Sequence, residues 1–288
     1  MKILITIAHY FNPDGGGKHG SLSKDPRSRI VALSQSLTHL GAILGKYQGV
    51  LDIAKSLAVP ANQGQSLDID IVICTTQNRH VLDELPVPHQ IYKHHATQAE
   101  PLMLGFECHA LLRDSLGRYD YYCYLEDDLI LHDPWFFIKL NWFSSQAGDL
   151  NLLQPNRYEI SPPGRVGKVY IDGDLLPRAT AQFQKVEDRP ELKGSIMEQP
   201  VIFQRALNPH SGCFFLNAKQ MAYWASQPYF LDGDTSFIGP LESVATLGIM
   251  RTFRIYKPAP AYASFLEIQH FGTAFLNLIG RGINISPG

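Results

Sequence analysis

Residues 121 to 131, YYCYLEDDLIL, set Glu126, Asp127 and Asp128 at the end of a run that otherwise has the pattern of a buried strand. An unpaired carboxylate beside a core is costly, or it shifts its pKa and neutralises. A divalent cation removes that cost, and oxygen-rich clusters suit Mg²⁺ or Mn²⁺, which one or two protein carboxylates hold together with substrate phosphates. The alternative is a solvated turn paired with arginine. Two other places offer carboxylates at i, i+2: Asp172 with Asp174, and Asp232 with Asp234. YIDGDLLP has an Asp-Gly centre between β-like arms, a hairpin signal, so Asp172 and Asp174 are read as a turn.

The elements that must carry these groups alternate. KILITIA (2 to 8) and DIDIVICTT (68 to 76) are β-rich runs that bracket a helical stretch from about Arg29 to Ala58, with Ile30, Leu33, Leu37 and Leu40 on one face. A second helix is predicted over Pro101 to Leu116, and the strand DYYCYL follows it. This order predicts an α/β layer architecture with a mostly parallel central sheet flanked by helices. In such sheets ligands bind beyond the carboxyl ends of the strands, where Glu126 to Asp128 fall. His9 and Asn12, after the first strand, and Arg27 and Arg29, near the first helix's start, belong to the same edge. Beyond residue 150 the chain becomes rich in Pro, Gly and Arg, so a soft boundary separates 1–150 from 151–288. Helices are predicted at about Ala218 to Ser226 and from Pro240, placing Glu242 in a first turn, where the helix dipole also favours an acid.

Of the 288 residues, 45% are apolar and 18% charged, which indicates a globular chain with ample core. The net charge of -2 lacks the basic field that nucleic-acid binding needs, so no nucleic-acid partner is expected. No run approaches a membrane span, and the start, MKILITIAHYF, is too short for a signal segment; any membrane association would be peripheral. Cys74, Cys108, Cys123 and Cys213 sit apart in apolar segments, as reduced core thiols do, which points to the cytosol.

The strand ending in an acidic triplet, about 120 residues into a β-α-β start, resembles the DxD motif of GT-A-fold glycosyltransferases, some of which carry E-D-D. Carried over by position, the resemblance implies Asp128 as ligand of a Mn²⁺ or Mg²⁺ ion on the donor diphosphate. It places Asp127 on the nucleotide side and leaves Glu126 as a supporting metal-site residue. NPHSGCFFLNAKQM (208 to 221) is similar to the strand that precedes the acceptor-side helix of that fold. GPLESVATLGIMR (239 to 251) resembles the segment where the family places an acidic pair. Here Ser243 replaces the second acid, which leaves Glu242, or Asp234 in the loop before it, as the base for an acceptor hydroxyl. His270 stands where many members bring a histidine to the same cation. His9, Asn12, Arg27 and Arg29 would then contact the nucleotide.

The glycine loop HYFNPDGGGKHGSL (9 to 22) lacks P-loop order and looks like the loop after the first strand of GT-B glycosyltransferases. That fold needs two full Rossmann-like domains, for which 288 residues is short. The function expected is metal-dependent transfer of a sugar from a nucleoside diphosphate sugar to a saccharide or other hydroxyl acceptor, with 1–150 as donor half and 151–288 as acceptor half. Nucleotidyl or phosphoryl transfer with a carboxylate-bound Mg²⁺, and non-catalytic binding of carbohydrate or nucleotide, are the alternatives.

Overall fold

The computed structural model describes residues 1–16, 20–65, 67–161 and 166–283; Gly17, Lys18 and His19 of the glycine loop lie outside them. The first half contains β1 (Lys2–Ala8), α1 (Arg27–His39), β2 (Gly49–Asp52), β3 (Leu57–Pro60), β4 (Asp68–Thr76), β5 (Lys93–Thr97), α2 (Leu104–Asp114), β6 (Tyr121–Glu126), β7 (Leu129–Ile130) and α3 (Phe136–Ala147). The second contains β8 (Asn151–Leu153), β9 (Asn156–Ile160), β10 (Lys168–Tyr170), β11 (Glu191–Ile196), β12 (Gln199–Arg205), β13 (Cys213–Asn217), α4 (Ala218–Ala225), α5 (Pro240–Thr252), β14 (Arg254–Pro258) and β15 (Glu267–His270).

The central sheet has the order β13-β6-β1-β4-β5, parallel except for β13. Its inner strands are apolar without alternation because both faces are covered. Ile3, Ile5 and Ile7 pack under α1 and α3, against Leu33, Leu37, Phe136 and Leu140. Leu4, Tyr122 and Tyr124 face the other way, into a core with Leu104, Leu112, Met221, Trp224 and Leu247 from α2, α4 and α5. Gly105 permits the contact between α2 and α5, since a Cβ there would lie 2.2 Å from Val244 Cγ1. The mixed α/β architecture and parallel central sheet are therefore as expected, as are α4 and α5.

Two smaller four-stranded sheets, β10-β9-β15-β7 and β11-β12-β14-β8, stand beside the central one. Within the first, β15 runs parallel to β9 and antiparallel to β7, with His270 opposite Leu129. This pairing brings the chain's end back to the acidic triplet.

Two local expectations are corrected. The helix expected to reach Ala58 ends at His39, followed by a π turn over Leu40–Leu44 and the hairpin β2–β3. Gly45 and Gly49 break the helix, and the β-branched and apolar residues beyond them pair with each other, leaving Leu51 and Ile53 exposed. Asp172 and Asp174 do not form a hairpin turn. The chain leaves β10 in an extended path, with Ile171 N–H donating to Arg157 O at 3.0 Å, and the Asp172 side chain is only 4% exposed. The ion pairs described below draw it inward. The four cysteines are free and buried. Among the described residues no helix is long and apolar enough to cross a membrane.

Candidate active site

Because β1, β4 and β6 are parallel and in register, Ala8 lies opposite both Cys74 and Glu126, and the residues that follow share one sheet edge. His9 is fully buried there. It accepts the Val81 N–H at Nε2 (3.2 Å), so its proton sits on Nδ1 and points at Asp127 Oδ2, 2.6 Å away. Arg29, from the first turn of α1, donates through Nη1 to Asp127 Oδ1 at 2.5 Å and to Asp128 Oδ2 at 3.2 Å. Burial opposes the Asp127 charge, but Arg29 and His9 overcome it and hold its carboxyl below the usual range. Asp127 is thus an oriented anion with both oxygens occupied.

Asp128 is less satisfied. Its Oδ1 is buried and without a hydrogen-bond partner, and its Oδ2 lies 3.7 Å from His270 Nε2. His270 is itself positioned by Glu159, a fully buried carboxylate on β9 whose Oε1 is 3.0 Å from His270 Nδ1 and which also accepts the backbone N–H groups of Phe275 and Leu276. A carboxylate at Nδ1 orients the ring so that Nε2 faces Asp128, as in imidazoles positioned for a metal. Among the described residues no three or more His, Cys, Asp or Glu side chains are grouped to hold a metal ion. Asp128 and His270 form a two-ligand set, which suits a cation that keeps water and phosphate oxygens in its remaining positions.

Glu126 turns away from this pair. Its Oε2 lies 3.4 Å from Arg157 Nη1, and burial pushes its carboxyl up to about 8 against the pull of Arg157, with Asp128, Asp127 and Glu242 adding to the rise. Gly212, at φ +62°, makes room for it: a Cβ there would fall 2.4 Å from Glu126 Oε2. Arg157 also holds Asp172, through Nη2 at 2.7 Å and Nε at 3.1 Å, and Lys257 Nζ approaches the same carboxylate at 3.2 Å while donating to His210 O at 2.5 Å. Burial would raise the Asp172 carboxyl, yet Lys257 and Arg157 hold it well below the usual range. Among the described residues the cations paired with Glu126, Asp127, Asp128 and Asp172 are Arg29, Arg157 and Lys257, and burial lowers the Lys257 pKa as it raises that of Glu126.

The remaining expected residues are dispersed. Glu242, half-buried in the first turn of α5, makes no hydrogen bond or ion pair with other described residues, and it contributes to the field on Glu126. Asp234 accepts the Ser236 N–H at 2.9 Å and meets Arg251 at 3.4 Å, and the Ser236 hydrogen bonds lower its pKa. Arg27 is exposed and bonded to Asp25, and Asn12 accepts the Asp14 N–H in a local turn; neither contacts the acidic triplet. Sequence reasoning missed Arg157, Glu159, Asp172 and Lys257. The signal available was charge inside a strand: NRYEI alternates Arg157 and Glu159 on one face between apolar neighbours.

No protein-family model matches the chain, and no curated protein matches it. Among solved structures, the crystal structure of mouse xyloside xylosyltransferase 1 in its apo form aligns over 88% of this chain and 82% of that one, at 9% identity and a TM-score of 0.40.

Proposed function

We propose that the protein is a metal-dependent glycosyltransferase that moves a sugar from a nucleoside diphosphate sugar to an acceptor hydroxyl. The observation that carries this reading is the pair Asp128 and His270: Asp128 Oδ2 lies 3.7 Å from His270 Nε2, its Oδ1 is buried without a partner, and Glu159 fixes the imidazole from the other side. When bound between them, Mg²⁺ or Mn²⁺ supplies Lewis-acid neutralisation of the charge on a departing diphosphate.

The chain's own groups do the rest. Arg29 and His9 hold Asp127 ionised and oriented, so that it can accept hydrogen bonds from the hydroxyls of a nucleotide ribose. In an inverting transfer Glu242 takes the acceptor proton; its carboxylate has no competing partner among the described residues, whereas Asp234 is engaged by Ser236 and Arg251. Glu126, tied to Arg157, stabilises the edge rather than reaching the cation.

The test is a thermal-shift panel of nucleoside diphosphates with and without Mn²⁺, followed by titration of the best ligand into Asp128→Asn. Stabilisation that depends on manganese, and a loss of about tenfold or more in affinity in the variant, are expected. Equal affinity in Asp128→Asn, or a panel with no shift, rejects the site. Incubation with the matching nucleotide sugar should release nucleoside diphosphate. Release of sugar 1-phosphate instead, with the nucleoside monophosphate left on the acceptor, assigns nucleotidyl transfer.

A further inference from the structure

Beside the acidic cluster, and sharing Arg157 and Asp172 with it, lies a cavity of about 550 Å³ whose wall also includes Lys257 and Arg205. Arg205, at the end of β12, is only 9% exposed and makes no ion pair among the described residues. Its Nη1 donates to the backbone oxygen of Asp188 at 3.0 Å and its Nη2 to Gln184 Oε1 at 3.4 Å, while Nε is buried without a partner. The Asp188 carboxylate is engaged by Arg254, 2.8 Å away. A buried guanidinium normally finds a carboxylate, because leaving its charge uncompensated in low dielectric is expensive. Burial indeed lowers the Arg205 pKa.

The neighbouring wall has the same sign. Arg157 and Lys257 converge on the single carboxylate of Asp172, with Glu126, beside Arg157, their only other ion-pair partner among the described residues. Asp174 and Glu187 also line the cavity, but both are exposed and therefore screened by water. The volume is within the range of small-molecule sites.

We propose that this cavity binds the acceptor through an anionic group, a carboxylate or a phosphate, held by Arg205. The geometry favours such a group because the guanidinium fork matches both anions, and a neutral sugar would leave the charge only the Tyr256 ring, 5.8 Å from the guanidinium carbon, in place of an anion. Only the word acceptor rests on the glycosyl-transfer reading; the anion site stands on its own contacts.

Isothermal titration of the full chain with methyl glucuronide, glucose 6-phosphate and methyl glucoside separates the possibilities. At least one anionic sugar should bind about tenfold or more tightly than the neutral one, as expected for a charged hydrogen-bonded contact, and which of the two does so identifies the anion. Arg205→Gln should abolish the preference while binding of nucleoside diphosphate with Mn²⁺ is unchanged. Equal affinities for the three ligands, or a preference that survives in Arg205→Gln, overturns the proposal. Should Arg205→Gln lose its native near-ultraviolet circular dichroism, Arg205→Lys decides: it keeps the charge but not the fork, and an undiminished anion preference there overturns the proposal as well. Anion binding without any nucleotide binding sinks the transfer reading alone, and nucleotide binding without anion preference sinks this one alone.

Discussion

At the scale of single residues, a buried histidine outside the site adds to the acid sensitivity of the protein. His109, 3% exposed on α2, is ringed by Phe106, Tyr124, Phe214, Trp224 and Phe230, and its Nε2 has no partner. Burial drives its pKa from 6.5 down to about 3. The unfolded chain therefore takes up the proton first as pH falls, so stability that is complete above about 6.5 is lost progressively toward about 3. From this group alone the loss between pH 7 and pH 5 is about 2 kcal/mol. We expect urea denaturation of His109→Phe to show a pH dependence shallower by about that amount; equal slopes would mean that the imidazole is not held neutral. The same scale shows what the sequence disclosed of the site. The sequence placed Asp127 and Asp128 at a strand end, and the family resemblance nominated His270 beside them; the structure brings His270 Nε2 to 3.7 Å from Asp128 Oδ2. Asp172 was misread because Asp-Gly-Asp is good turn chemistry, and only Arg157 and Lys257, 15 and 85 residues away, pull it inside.

At the scale of elements, local periodicity identified those that bury a face and failed where none is buried. The core strands and helices α2, α4 and α5 were legible because most of their apolar residues meet a partner surface, Tyr223 and Leu241 excepted. The β2–β3 hairpin has Val50, Leu51, Ile53 and Leu57 exposed, so no tertiary contact enforces a pattern, and its apolar run mimicked a helix. Its base is closed by Ala61 N–H on Gln48 O at 2.8 Å. Replacing residues 49–60 by a short Gly-containing turn should therefore change unfolding free energy by no more than about 1 kcal/mol in chemical denaturation, since loop-closure costs vary slowly with length. A loss of several kcal/mol would show that the hairpin carries structural weight.

For the whole molecule, the boundary near residue 150 in composition does not divide the packing. One core joins Ile5 and Leu37 to Phe203 and Tyr256, and the other joins Leu4 and Leu112 to Trp224 and Ile255. β13 completes the central sheet from the second half. We expect one thermal transition, coincident by far-ultraviolet circular dichroism and by tryptophan fluorescence, because Trp142 packs against the first core and Trp224 lies in the second. Two separated transitions, or cooperative unfolding of residues 1–150 alone, would contradict this shared core.

The sequence by itself determined the layer order, the parallel sheet and the edge at which the acids emerge, because hydrophobic periodicity and strand ends are local properties. Only the tertiary structure decided which acid meets which cation. β15 returns beside β7 to put His270 at Asp128, and β9 supplies Glu159 and Arg157 from one face. Such pairings depend on register between strands distant in the chain, 111 residues for His270 with Glu159 and 31 for Arg157 with Glu126, and no local pattern encodes that register.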